Sequence, residues 1–173
     1  MGKITILGGL ALSLAMAGLT PVRAEAPVDA MQTLADKAEI GELVTRYYYD
    51  LNHGGGAHFA DYFTDDAELV TDADSFKGRA AIEAAFDVAE KTTPARKVYA
   101  LEVLLHNPLI VVHGDTASAR AIFTEAAIDK QGDAPHITIM GREYDRFVKR
   151  DGKWRFVKRQ ITMKPAVPAD WQE

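Results

Sequence analysis

The sequence predicts an α+β domain in which three N-terminal helices pack on a strongly curved, mainly antiparallel sheet. Three observations carry that prediction. Apolar residues recur at helical spacing before Lys97, whereas aromatic and β-branched stretches dominate after it. The β-rich part is broken only by short turns, His113-Gly114-Asp115, Gln131-Gly132-Asp133 and Asp151-Gly152, and connections that short join antiparallel neighbours. Within the first long strand, Asn107-Pro108 interrupts the ladder, because proline has no N–H to give, so the strand must bulge or bend there. Helices laid across the hollow side of a bent sheet enclose a pocket.

Taken in order, the chain opens with Lys3, an apolar run from Ile4 to Leu19, then Pro21 and the small-residue end Val22-Arg23-Ala24. That is the layout of a secretory signal peptide over residues 1–24. Glycines interrupt the run, which is shorter than the roughly 20 residues a spanning helix needs. The expected location is therefore periplasmic or secreted, with no membrane association after cleavage. The whole chain has 20 basic and 25 acidic residues; loss of Lys3 and Arg23 leaves 18 against 25, a balance of −7. That sign disfavours nucleic acid as a partner. With no cysteine, disulfides, thiol nucleophiles and thiolate metal sites are excluded.

Residues 25–35 read as a linker and 36–164 as one domain, followed by an irregular tail, 165–173. Asp36 with Glu39 has capping-box spacing, and Ile40, Leu43, Val44, Tyr47, Tyr48 and Leu51 give the first helix its apolar stripe to near His53. Gly54-Gly55-Gly56 stops it. Ala57 to Tyr62 reads as a second short helix, and Phe63-Thr64-Asp65-Asp66 as a turn into a strand from Glu68 to Thr71. Ser75 to Lys77 is a brief strand. Arg79 to Lys91 is the third helix, closed before Pro94. Long strands follow at Tyr99–Val112, Thr116–Asp129, His136–Lys149 and Trp154–Met163. In the last hairpin neither face is purely polar, so one should be covered by the chain's own helices and the other by a partner subunit or a ligand.

Candidate chemistry is scattered. Glu125 lies in the row Ala117, Ala119, Ala121, Phe123, Glu125, Ala127, which should face a covered side, where desolvation makes a carboxyl a proton donor or base. The alternative is an ion pair with Arg142, Arg146 or Arg159. His106 stands beside the expected bend and is either a pocket base or a histidine hydrogen-bonded at the bulge. Tyr47 and Tyr48 read as core residues or as hydrogen-bond donors to a ligand oxygen. Arg159 and Arg155 form either a clamp for an anion or an ion-pair ladder with Glu143 and Asp145. No metal-ligand spacing, nucleophile elbow, phosphate loop or dinucleotide fingerprint is present, so neither metal nor cofactor is expected.

The order of elements, with Tyr47 to Asn52, Phe63-Thr64-Asp65-Asp66-Ala67, Asn107-Pro108-Leu109-Ile110, Gly114-Asp115-Thr116-Ala117, Gly141 to Phe147 and Asp151-Gly152-Lys153-Trp154-Arg155, resembles the SnoaL-like branch of the nuclear transport factor 2-like superfamily. The likeness runs from about Asp36 to Thr162. It implies a cone-like α+β barrel with an internal pocket for a small apolar molecule, and a homodimer formed through the outer face of the sheet. Family members include polyketide cyclases, ketosteroid isomerases, scytalone dehydratase and epoxide hydrolases, and fold alone does not choose among them. In the dehydratase-like members an Asp near the end of the first helix pairs with a His on the first long strand. Those positions look like Asn52 and Val103 or Leu104 here, a departure from the dyad; His106, Asp50 or His53 are the substitutes. The resulting expectation is a pocket protein, either a cofactor-free lyase, isomerase or cyclase or a non-catalytic binder. His106 or Glu125 would be the base, with ligand contacts from Tyr48, Asn52, Phe63, Tyr144 and Arg159.

Overall fold

A computed structural model describes residues 30–52, 56–92 and 98–171. The expected signal peptide, His53, Gly54-Gly55 and Pro94 lie outside them. The first helix, α1 (Ala30–Asn52), starts ahead of the expected cap at Asp36. Asp36 instead sits on the buried side of the helix, where its carboxylate accepts hydrogen bonds from Lys149 Nζ (2.7 Å) and Trp154 Nε1 (3.1 Å). Ile40, Val44, Tyr47 and Tyr48 follow it on the same stripe and are buried, as the periodicity predicts. Each such side chain contributes about 1.5–3 kcal/mol by leaving water.

Two α-helices are present among the described residues, α1 and α2 (Arg79–Thr92), rather than the three expected. The segment read as the second helix is 3-10 helix, Gly56–Tyr62. Seven residues are too few to offset the cost of nucleating an α-helix, and Phe59 and Phe63 pull the segment tight into the core. The phrase Phe63-Thr64-Asp65-Asp66, expected as a turn, is already strand: β1 runs Phe63–Val70, and β2 is Ser75–Lys77.

The long strands are β3 (Ala100–His113), β4 (Thr116–Ile128), β5 (His136–Arg150) and β6 (Lys153–Thr162), close to their expected bounds. They form one six-stranded sheet in the order β2-β1-β6-β5-β4-β3, antiparallel except for β1 beside β6. Arg150 pairs with Lys153 across a two-residue turn in which Asp151 (φ 52°) and Gly152 (φ 72°) are both left-handed, the turn whose twist matches that of the strands. The ladder slips between His106 and Leu109, with Asn107 at φ 50°, and again at Glu125/Ala126 and at Arg146/Phe147. Bulges of this kind bend their strand and sharpen its twist, which is how the sheet curls over α1 and α2.

β3 is an edge strand, and α1 covers it. Asn52 Oδ1 accepts from the Val103 N–H (2.9 Å) while its Nδ2 donates to the Val103 carbonyl (3.4 Å), so a side-chain amide stands in for a missing neighbouring strand. After β6 the tail folds back along the outer face of the sheet. Trp171 packs its ring 5.2 Å from that of Tyr144, Lys158 Nζ holds Asp170 at 2.6 Å, and Arg146 donates to the Asp170 carbonyl. Leu104, Ile122, Ile137 and Met140 remain exposed on that face.

Candidate active site on the concave face

Strand alternation and register decide what faces inward. Ala117 pairs with Phe147, Ala119 with Asp145, and Ala121 with Glu143, while on the other side Asp145 pairs with Arg159 and Glu143 with Ile161. Because successive residues point to opposite faces, these side chains all lie on the side covered by α1, and Arg120, Ile122, Arg142, Tyr144 and Arg146 lie outside. The residues opposite the two carboxylates on β4 are both alanines, Ala119 beside Asp145 and Ala121 beside Glu143. Val103, Leu105, Ile110, Val112, Ile161 and Leu51, all partly buried, give the inner face an apolar lining.

Arg159 is the centre of this face and is fully buried. Its Nη2 donates to Glu143 Oε2 (2.7 Å) and to the Tyr48 hydroxyl (2.6 Å). The guanidinium carbon sits 4.0 Å from the Tyr47 ring centroid, 4.7 Å from Phe156 and 5.0 Å from Tyr48. Aromatic faces therefore solvate the charge where water cannot. Asp145 Oδ1 is 3.9 Å from Arg159 Nε, too far for a hydrogen bond. Arg159 Nε and Nη1, Glu143 Oε1 and Asp145 Oδ1 are buried with no hydrogen-bond partner.

Two carboxyls thus share one guanidinium in a dry site. Burial raises both above their ordinary range, and the Arg159 charge pulls them back down. Only Glu143 has the charge-assisted hydrogen bond to Arg159. Asp145 lacks it, feels the negative charge of Glu143 as well, and is pushed up to about 8. Burial therefore favours a proton on Asp145, the carboxyl without the hydrogen bond to Arg159, at neutral pH. A neutral carboxyl in contact with a largely apolar interior is a proton donor.

The residues singled out from sequence divide between the two faces. Tyr48 and Arg159 belong to this cluster. Glu125 is on the inner face as expected but toward the rim, half-buried, paired across the sheet with Val103 and Ile139. Its Oε1 accepts from Thr138 Oγ1 (2.7 Å) at the bulge, and none of the three arginines weighed as its partner is there. His106 is a different case. It pairs with Ile122 and its Nε2 lies 2.7 Å from Thr124 Oγ1, which places it on the outer face, exposed, and away from the pocket it was expected to serve. The bulge at Asn107 comes after His106 and does not turn it inward. Tyr144 is likewise outside, beneath Trp171. Phe63 is buried in the aromatic core, 5.2 Å from Phe156. Asn52 does meet Val103, the two positions that resembled the acid–base dyad, but as a backbone lock. Asp50 accepts from the Tyr62 hydroxyl (2.5 Å).

Glu143 and Asp145 were read only as rungs of a surface ladder. The signal for their burial was present: the alanine row on β4 lies directly beside them, and a row that small is a covered row. Among the described residues no group of three or more His, Asp or Glu side chains is placed to hold a metal ion. An open groove of about 670 Å³ near the Gly152 turn, lined by Glu39, Arg46, Asp61, Arg79, Lys153 and Trp154 among others, shares no residue with the buried cluster.

Solved structures of similar fold are numerous. A protein of unknown function from Mycobacterium tuberculosis is 26% identical, with a TM-score of 0.67 over 83% of this chain and 80% of that one. A protein from Novosphingobium aromaticivorans designated a scytalone dehydratase is 21% identical, with a TM-score of 0.63 over 83% and 99%. ActVI-ORFA from Streptomyces coelicolor is 20% identical, with a TM-score of 0.68 over 78% and 99%. The last two likenesses establish shared fold. Among curated protein sequences nothing matches the chain. The model of the SnoaL-like domain matches residues 32–160, most of the chain, and takes in α1, the curved sheet and the Glu143–Asp145–Arg159 cluster. This protein therefore belongs to the SnoaL-like domain family.

Proposed function

We propose that the protein takes a small, largely apolar molecule into the cone and moves protons on it without a cofactor, with Asp145 as the acid. The reading rests on one observation above all: a buried carboxyl beside Arg159 that lacks the guanidinium hydrogen bond its neighbour Glu143 enjoys. A single carboxyl of that kind can carry an elimination through. Its proton goes to a leaving hydroxyl as the C–O bond breaks. The carboxylate left behind takes a proton from the adjacent carbon, a C=C bond forms, water departs, and Asp145 ends protonated as it began. Tyr48 supports the step, because its oxygen accepts from Arg159 and its own O–H is left to give to a ligand oxygen. The dehydratase designation of one structural neighbour is consistent with an elimination. A cyclic or polyketide-like ligand follows from the family resemblance, and action outside the cytoplasm from the N-terminal leader.

A non-catalytic binder of the same fold is favoured by the complete burial of Arg159 and Glu143, which would serve packing equally well. The two readings separate in deuterium oxide. Protein purified from its own host is examined by native mass spectrometry for a retained molecule, which is then re-incubated with wild type and with Asp145→Asn. Catalysis is expected to put deuterium into the molecule or change its mass, at least about a hundredfold more slowly in the variant. A ligand bound unchanged and unlabelled by the wild type identifies a binder.

A further inference from the structure

Strand register also decides what stands between Asp145 and the rim of the cone. Along the inner face Ala119 lies beside Asp145, Ala121 beside Glu143, Phe123 beside Gly141 and Glu125 beside Ile139. On the far side of Asp145 the row runs into Phe147, which packs on Phe156 in the aromatic core, so the approach to the acid is from the Glu125 side and passes Phe123. We propose that Phe123 is the specificity-determining residue of the cone, its ring forming one wall of a slot that admits flat molecules to Asp145 and turns globular ones away. The proposal rests on the reading of the cone as a ligand site and adds to it the shape of what enters.

Three features carry it. The first is the seat of the ring. A β-carbon on residue 141 would lie 2.4 Å from Phe123 Cε1 and 2.5 Å from Cζ, so the far edge of the ring rests in space that only a glycine leaves free. The ring therefore leans across from β4 onto β5 instead of standing upright in the cone, and the Thr162 carbonyl oxygen, 2.8 Å from the same point, closes the seat behind it. The second is the roof. On β3, Leu105 pairs with Phe123 and Val103 with Glu125. Asn52, the last residue of α1, holds both the N–H and the carbonyl of Val103, so the end of the helix is pinned to the sheet one residue pair from the ring, with Leu51 beside it packed on the core. Wall and roof are both fastened, and a slot whose sides cannot part selects by thickness. The third is chemistry. Phe123 is buried but stands apart from the contiguous aromatic core of Tyr47, Phe63, Phe147 and Phe156. An aromatic ring placed outside the core on the route to a carboxyl favours a flat π-system, which stacks on it, over a saturated cage, which does not.

The test uses two alcohols with the same number of carbon atoms and opposite shapes, flat 2-naphthol and globular 1-adamantanol. Each is titrated into the protein and followed by ¹⁵N–¹H NMR at the backbone amides of Gly141, Glu143 and Asp145. The wild type is expected to bind 2-naphthol at least about tenfold more tightly than 1-adamantanol. Phe123→Ala is expected to bring the two within about twofold of each other. Phe123→Leu keeps an apolar side chain on the inner face and serves where the alanine variant does not fold; it is expected to lower the ratio at least about threefold. Equal affinities in the wild type, or a ratio unchanged in Phe123→Leu, would overturn the selector while leaving the cone as a ligand site. Amides that move with neither alcohol, in wild type or variants, would overturn both.

Discussion

Alternate residues of β5 live in two different solvents. Glu143 and Asp145 face α1 at 1% and 3% exposure, where their charge can be balanced only by Arg159 and by aromatic rings. Arg142 and Arg146, one residue away, face outward among other cations, with water and the folded-back tail for company. The comparison teaches that charge alone does not mark a strand's wet face. Here the acids go in and the bases stay out, and the interior tolerates that because one arginine from β6 goes in with them. Buried groups of this kind cost stability to desolvate.

The sharpest way to break the comparison is to remove the same residue type from each face. Arg159→Met leaves two buried carboxyls without a counter-charge and is expected to cost about 3–5 kcal/mol in urea unfolding. Arg142→Met, outside, is expected to stay within about 0.5 kcal/mol. Equal effects would show that the inner cluster is not electrostatically special.

A steric version of the test is smaller. A Cβ on Gly141 would lie 2.4 Å from Phe123 Cε1 and 2.8 Å from the Thr162 carbonyl oxygen. Gly141→Ala is therefore expected to cost about 1–3 kcal/mol by thermal unfolding, since Phe123 must leave the inner face or the strand must shift. Smaller again is Asn52→Ala, which removes both hydrogen bonds to the β3 edge and is expected to cost about 1–2 kcal/mol, with faster amide exchange confined to Val103 and its neighbours. Loss of exchange protection across the whole sheet would contradict a local lock.

Much of this architecture is readable from the amino-acid order. The Asp151-Gly152 turn, the alanine row of β4, the break at Asn107-Pro108 and the apolar stripe of α1 each follow from local chemistry, and each is where it was expected. What local chemistry could not supply was partnership between distant segments. Asp36 looks like a cap until Lys149 and Trp154 are brought to it. Phe63 to Asp66 looks like a turn until β6 arrives alongside, in parallel. His106 looks like a pocket base because a bend follows it, but the side it faces is fixed by its register with Ile122. Glu143 and Asp145 read as surface ladder because their strand carries charge on both faces; only the identity of the neighbouring row on β4 tells which half is dry.

The proton on Asp145 also makes the inner face pH-sensitive in a defined direction. A carboxyl raised from its ordinary 3.8 binds a proton in the native state that the unfolded chain has already lost. Its contribution to stability is therefore full below pH 4 and declines as pH rises through about 8. Asp145→Asn, which mimics the neutral acid, should flatten that decline.

Titration of the Asp145 carboxyl carbon by ¹³C NMR, assigned by comparison with Asp145→Asn, reads the proton itself. A midpoint well above the usual carboxylate range, near pH 8, is the expected result. A midpoint at or below pH 4 would mean that Asp145 is ionised in the folded protein and would remove the acid from the cone.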